Sequence, residues 1–181
     1  GKRKNYAWIA VIRLRLAVLC LSLLVFVGCV KPMPEAQKFT PISTFTGRLL
    51  VMSQAHRFQL LVDWKSDGDK GSMRLTHGSS GRIINVDWDH LRMRWQDNSQ
   101  SALWKDLPEQ ELLDMGVILP PWIMAKIFLG EMPSGMQTED NRLWKGRWGV
   151  RELTVSWASR QQKVSLIDMK HGRKAVVMFD E

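Results

Sequence analysis

The sequence predicts a mainly-β domain with a helical insertion near its middle. Three observations predict it. From Gly47 onward, apolar and polar residues alternate with period two in one segment after another, and short Gly-, Asp- and Ser-rich stretches join them. Between residues 106 and 130 that period gives way to two runs with helix punctuation. The alternation then resumes and continues to the end of the chain.

The front of the chain is not part of this pattern. Lys2, Arg3, Lys4, Arg13 and Arg15 occupy a stretch without an acid, and Leu16 to Val27 is apolar apart from Cys20 and Ser22. That order of charge, apolar run and small residue is that of an export signal. The run is short of the about 20 residues that cross a bilayer core. Val27-Gly28-Cys29 resembles a bacterial lipobox, in which cleavage precedes a cysteine that is then lipid-modified. The alternative is an uncleaved N-terminal anchor. Residues 1–28 are thus expected as a lipoprotein signal peptide, 29–46 as a lipidated Cys29 with a flexible, proline-bearing tether, and 47–181 as a single domain.

Charge follows the same division. The chain carries 26 basic and 18 acidic residues, net +8, but five of the bases precede Cys29. The remainder is only mildly basic, which removes most of the case for a nucleic-acid partner. The lone cysteine left after cleavage forms no internal disulfide, and lipidation accounts for it.

Five strands are expected first: GRLLVM, RFQLLVDW, SMRLT, RIINVDW and LRMRWQ. Turn-like SDGDKG, HGSSG and Asp89–His90 join the second to fifth, as in an antiparallel meander. Alternation is cleanest in the fifth, with Leu91, Met93 and Trp95 opposed to Arg92, Arg94 and Gln96. FQLLVDW and RIINVDW are apolar on both faces, so their register stays open. Asp106 suits the cap of a helix through Pro108–Met115 that stops at Gly116. Pro121 to Leu129 is a second helix, opened by proline and closed by Gly130. It is apolar nearly all round, with Lys126 its only charge, so it must be covered on most sides, over the concave side of the sheet. After the polar loop EMPSGMQTEDN come LWKGRW, RELTVSW, KVSLIDM and AVVMF, for a total of about nine strands.

Several pieces of this order carry a family resemblance. Phe45-Thr-Gly47-Arg48-Leu49, Val62-Asp63-Trp64 and Met73-Arg74-Leu75-Thr76 resemble the opening strands of the LolB-like lipoproteins. Glu111 to Pro120, continuing to Ile127-Phe-Leu-Gly130-Glu-Met-Pro133, resembles their helix, proline turn and Gly-x-Pro ending. Glu152 to Trp157 and Lys163 to Leu166 resemble their closing strands. The resemblance implies an incomplete antiparallel barrel whose apolar hollow is covered by lid helices. It implies acceptance of lipoproteins from a LolA-like periplasmic carrier and their placement in the outer membrane. The chain is then a lipid-anchored monomer facing the periplasm, with its anchor in the inner leaflet, no cofactor and no enzymatic activity. Val30 after Cys29 favours the outer membrane, since aspartate there is the usual inner-membrane retention signal.

An acyl-binding hollow needs large, adaptable apolar side chains, and the chain has ten methionines and nine tryptophans. Leu60, Val62, Met73, Leu75, Ile84, Val86, Met93 and Trp95 are the candidate wall, with Trp122, Ile123 and Ile127 as lid. The same residues suit a closed core, and the two readings stand side by side. The family turn after the third strand exposes a leucine associated with bilayer insertion. Here Ser79 and Ser80 hold that membrane-facing turn, which implies binding more than insertion. An alternative class is a lipoprotein subunit that docks in an envelope assembly, and another is a carrier of some other lipid. Lys145-Gly-Arg147-Trp-Gly-Val-Arg151 suits either anionic headgroups or a solvated strand face. Asp67-Gly-Asp69 lacks the spacing of a calcium loop. The four histidines are scattered without metal-ligand spacing, and Gly78-Ser-Ser-Gly81 lacks a nucleophile elbow.

Overall fold

The computed structural model describes residues 38–114 and 117–180. The expected signal peptide, Cys29, residues 30–37 of the tether, Met115 and Gly116 lie outside the described residues. Among the described residues eleven strands form one open antiparallel sheet, in the spatial order β6-β5-β4-β3-β2-β1-β11-β10-β9-β8-β7. In chain order they are β1 (Thr44–Met52), β2 (Arg57–Ser66), β3 (Lys70–His77), β4 (Ile83–Asp89), β5 (Arg92–Asp97) and β6 (Ser101–Asp106). Two helices follow, α1 (Glu109–Asp114) and α2 (Pro121–Phe128). Then come β7 (Met136–Thr138), β8 (Leu143–Trp148), β9 (Arg151–Trp157), a single 3-10 turn at Ser159–Gln161, β10 (Lys163–Asp168) and β11 (Arg173–Phe179).

The mainly-β fold with its helical insertion stands, with two strands more than the nine expected. SALWKD is the edge strand β6 and leaves a bulge against β5 between Trp95 and Asp97. MQT, inside the expected polar loop, is the short opposite edge β7. The first strand starts at Thr44, so the tether as drawn to residue 46 runs three residues too far. Residues 38–43 are already docked. Phe39 packs edge-on against Trp157 at 5.1 Å, the Ile42 amide donates to the Phe128 carbonyl at 2.8 Å, and Thr40 and Gln161 exchange two hydrogen bonds. These aromatic and backbone contacts outweigh the diluting prolines.

Strand pairing is set by the pleat. Val62 lies opposite Gly47 on one side and Leu75 on the other, and Leu75 opposite Ile84. Trp64 in turn faces Met73, which faces Val86 and then Trp95. Because side chains alternate with period two, these rows share one face of the sheet, and Leu61, Asp63 and Arg74 share the other. On the second half, Val164, Leu166, Val155, Leu153 and Val177 lie on the same inner face. All five are buried.

Helix α2 covers that face. It approaches the sheet at β3 and buries Trp122, Ala125, Ile127 and Phe128, with Ile127 fully buried. Its end is a complete Schellman stop. Gly130 donates to the Ile127 carbonyl and Glu131 to the Lys126 carbonyl, and Gly130 itself sits at φ +90°. A side chain at Gly130 has no room either, since a Cβ there comes within 2.7 Å of the Phe39 ring.

Candidate functional site

All eight strand residues expected to wall a hollow sit on the inner face. Val62, Val86 and Met93 are buried, and Leu60, Met73, Leu75, Ile84 and Trp95 are half-buried. Of the lid residues, Trp122 and Ile127 are buried and Ile123 is half-buried. The structure therefore brings the candidates together, and it divides them. Those nearest Phe128 are packed by protein. Those toward Leu60, Leu75, Ile84 and Trp95, over β2 to β5, keep part of their apolar surface uncovered.

The packed end is aromatic. Phe128, 1% exposed, meets Phe45, Trp64 and Phe179 edge-on at 5.3, 5.1 and 5.8 Å. Trp88 tilts against Trp64 at 4.8 Å, and Trp157 stacks on Phe179 at 6.1 Å. Edge-to-face pairing of this kind adds to area burial because the positive ring edge meets a negative face. The indole N–H groups of Trp64, Trp88 and Trp157 are buried and have no acceptor among the described residues. These three tryptophans act there through shape and apolar area alone.

One polar device holds the cover in place, and it was not among the sequence candidates. Arg151 opens β9 on the inner face and is buried. Its Nη1 donates to the carbonyls of Val117 and Ile118, at 2.8 and 2.6 Å, on the segment that leads into α2. The same nitrogen is 3.9 Å from Asp168 Oδ2. Asp168 is fully buried, accepts from the His171 amide at 3.3 Å, and lies 2.8 Å from His171 Nδ1. An arginine on a buried face needs such partners, because an unpaired buried charge is costly. The signal for it was present in the alternation of RELTVSW, which places Arg151 in the row of Leu153, Val155 and Trp157. Grouping it with Lys145 and Arg147 as one basic stretch obscured that parity. Lys145 and Arg147 lie on the opposite face, exposed.

At the less covered end, Asp97 is 4% exposed and Arg82 donates to its Oδ2 from Nε at 3.0 Å and from Nη2. Ser99 adds a hydroxyl and an amide donor to Oδ1. The Arg82 hydrogen bond, then those from Ser99, hold the Asp97 carboxyl well below the ordinary carboxylate range. At the β7–β8 turn, amide donation from Leu143 and Arg142 lowers Asp140 as well.

The turn between β3 and β4 is polar and closed on itself. Ser80 Oγ is 3.0 Å and Ser79 Oγ 3.2 Å from His77 Nδ1, and Gly81 donates to the His77 carbonyl at 2.9 Å. Both serines are exposed. Two clefts open elsewhere. One of about 600 Å³ lies on the outer face, with Arg74, Asn85, Asp87 and Trp104 along it. The other, about 1220 Å³, sits at the hairpin ends beside Trp88, Met93 and Leu107. Neither is lined by α2.

Among the described residues no three His, Cys, Asp or Glu side chains converge as a metal site, and no helix is long and apolar enough to cross a membrane. No protein-family model and no curated protein matches the chain.

Proposed function

We propose that this protein is a LolB-like, lipid-anchored acyl-chain-binding lipoprotein that acts in lipoprotein localisation to the outer membrane. In that role the open sheet is an incomplete barrel, α1 and α2 are its lid, and Cys29 carries the anchor. It accepts lipoproteins from a LolA-like periplasmic carrier. What supports the reading is the half-covered patch of Leu60, Leu75, Ile84 and Trp95 beside α2. An acyl chain gains about 0.8 kcal/mol per buried methylene, so it seeks an apolar surface that asks for no directed hydrogen bond. This patch offers that on the face of the sheet that α2 covers. Ser79 and Ser80 leave the β3–β4 turn without an apolar tip, so the reading is one of binding and not of insertion through that turn.

The test is titration with an environment-sensitive apolar dye, followed by competition with an acylated lipoprotein held on the carrier. Saturable dye binding, displacement by the lipoprotein and departure of cargo from the carrier are the expected results. Absence of all three overturns the proposal. In that case the second reading takes over: a docking subunit whose hollow is filled by its own side chains. The burial of Ile127 and Phe128 favours that reading at the aromatic end. Carriage of another lipid is separated by the competition arm, as dye binding that the lipoprotein fails to displace.

A further inference from the structure

We propose that the outer face of β2-β1-β11-β10 is a docking surface for an anionic lipid bilayer. The pairing aligns side chains on this face in three rows. One row runs Arg57, Met52, Lys174, Ile167. The next holds half-buried Leu50 and buried Val176, 7% exposed, between Gln59 and Ser165. The third runs Leu61, Arg48, Met178, Lys163. Four bases thus frame an apolar centre, and no acid stands within the three rows. Asp180 reaches Arg48 from the chain end at 3.9 Å, and Asp63 begins the following row. Leu61, 51% exposed, is a leucine in the open on a strand where Val62 and Trp64 face the core.

Charge complementarity selects the occupant. Arg57, Lys163 and Lys174 have no carboxylate partner among the described residues, so their charge is free for an external anion. A protein interface of an acidic partner would centre on aromatic anchors seated in pockets. This patch has no aromatic ring, and the outer cleft starts only one row further on, at Thr46 and Asp63. Long cations interleaved with aliphatic side chains over four strands, about 15 Å across, match a headgroup layer instead. There each base multiplies partition about fivefold, and Leu61, with the half-buried Leu50, Met52, Ile167 and Met178, reaches the interface between them over the buried Val176. The surface does not depend on the acyl-binding reading, since it lies on the opposite side of the sheet.

Lysine footprinting on the whole chain tests it. The chain is placed on vesicles of neutral phosphatidylcholine or of phosphatidylcholine with phosphatidylglycerol, treated with an amine-acetylating reagent, and read residue by residue by mass spectrometry. Lys163 and Lys174 are expected to react about threefold more slowly on the anionic vesicles, while Lys105, over the Trp95 ring on the other face, keeps its rate. High salt, which shortens the Debye length to about 3 Å at 1 M, removes the difference. In the variant carrying Arg57→Glu and Lys174→Glu, Lys163 reacts equally on both vesicles. Equal rates in the native chain overturn the proposal, as does equal slowing of Lys105. Protection of Lys163 and Lys174 only when an acidic protein is added also overturns it.

Discussion

Around Phe128, six further aromatic rings meet at one end of the inner face and leave it closed, whereas over β2 to β5 at the other end Leu60, Leu75, Ile84 and Trp95 keep apolar surface uncovered. The same sheet and the same alternation produce both. What differs is the covering element. Rigid rings with few rotamers interlock with α2 at the first end, while at the second the cover is thin and Trp95 is the one ring beside three aliphatic walls. Density at one end lets a small open sheet keep a core. Incomplete cover at the other leaves the apolar surface that the proposed acyl binding calls for. Stability and binding are therefore expected to separate by residue.

Phe128→Ala breaks the comparison at its closed end. The site cannot collapse, because β1, β2 and β11 are held by their ladders, so a loss of about 3–5 kcal/mol is expected in urea unfolding. The matched change at the open end, Ile84→Ala, is expected to cost about 1–2 kcal/mol, since the half-buried side chain has less packing to lose. Its larger effect is on apolar dye affinity. If the two variants lose the same stability, the ends are equally packed and the open patch is core.

Arg151→Met asks what holds the cover down. It leaves the carbonyls of Val117 and Ile118 without that donor and leaves the buried Asp168 to His171 alone, for an expected loss of about 2–3 kcal/mol. Hydrogen exchange separates this tie from general weakening. The amides of α2 are expected to exchange faster in the variant, while those of β1 and β2 keep their rates relative to the global transition. Uniform acceleration everywhere shows that Arg151 is core and not a tie.

Asp97 sharpens the open end through pH. Its carboxyl is held below the ordinary range by Arg82 and Ser99, so folding favours the ionised form. That contribution is fully present above the unfolded carboxylate pKa of about 4. It disappears as pH falls through the lower folded value. Asp97→Asn is expected to flatten the acid side of a plot of melting temperature against pH and to lower the neutral plateau. An unchanged acid limb shows that the pair is screened by solvent.

Much of this was legible in the chain, and the failures have physical causes. LRMRWQ alternates cleanly, and Met93 and Trp95 lie inward as expected, but Leu91, expected in the same row, sits in the turn before β5 and is 72% exposed. FQLLVDW is apolar on both faces, so alternation alone left the register open; pairing places Leu60, Val62 and Trp64 inward and Leu61 outward. β6 and β7 were missed because edge strands need bury only one side or neither. Leu103 is exposed, and MQT is too short for any period. The docked segment at 38–43 was hidden by spacing: Phe39, Ile42 and Phe45 recur every third residue, which matches no strand pattern. Helix α2 was found because its apolar residues run all round, and only a covered helix has that composition.

The smallest expected effect tests how dry the closed end is. Trp157 is buried between Phe39 and Phe179, and its indole N–H has no acceptor among the described residues. Trp157→Phe removes that donor and about a third of the ring system. Relief of an unpaired buried donor contributes about 1–3 kcal/mol, and the cavity left by the lost ring carbons costs about as much. The two nearly cancel, so a change within about 1 kcal/mol is expected in urea unfolding, far below that of Phe128→Ala. A loss above about 2 kcal/mol shows that the N–H was satisfied, with water the one acceptor small enough to enter between the rings. The aromatic end is then wet and able to loosen, and the contrast between the two ends becomes one of degree. A near-zero change means shape alone holds Trp157 in place, and the proposed acyl binding is then confined to the patch of Leu60, Leu75, Ile84 and Trp95.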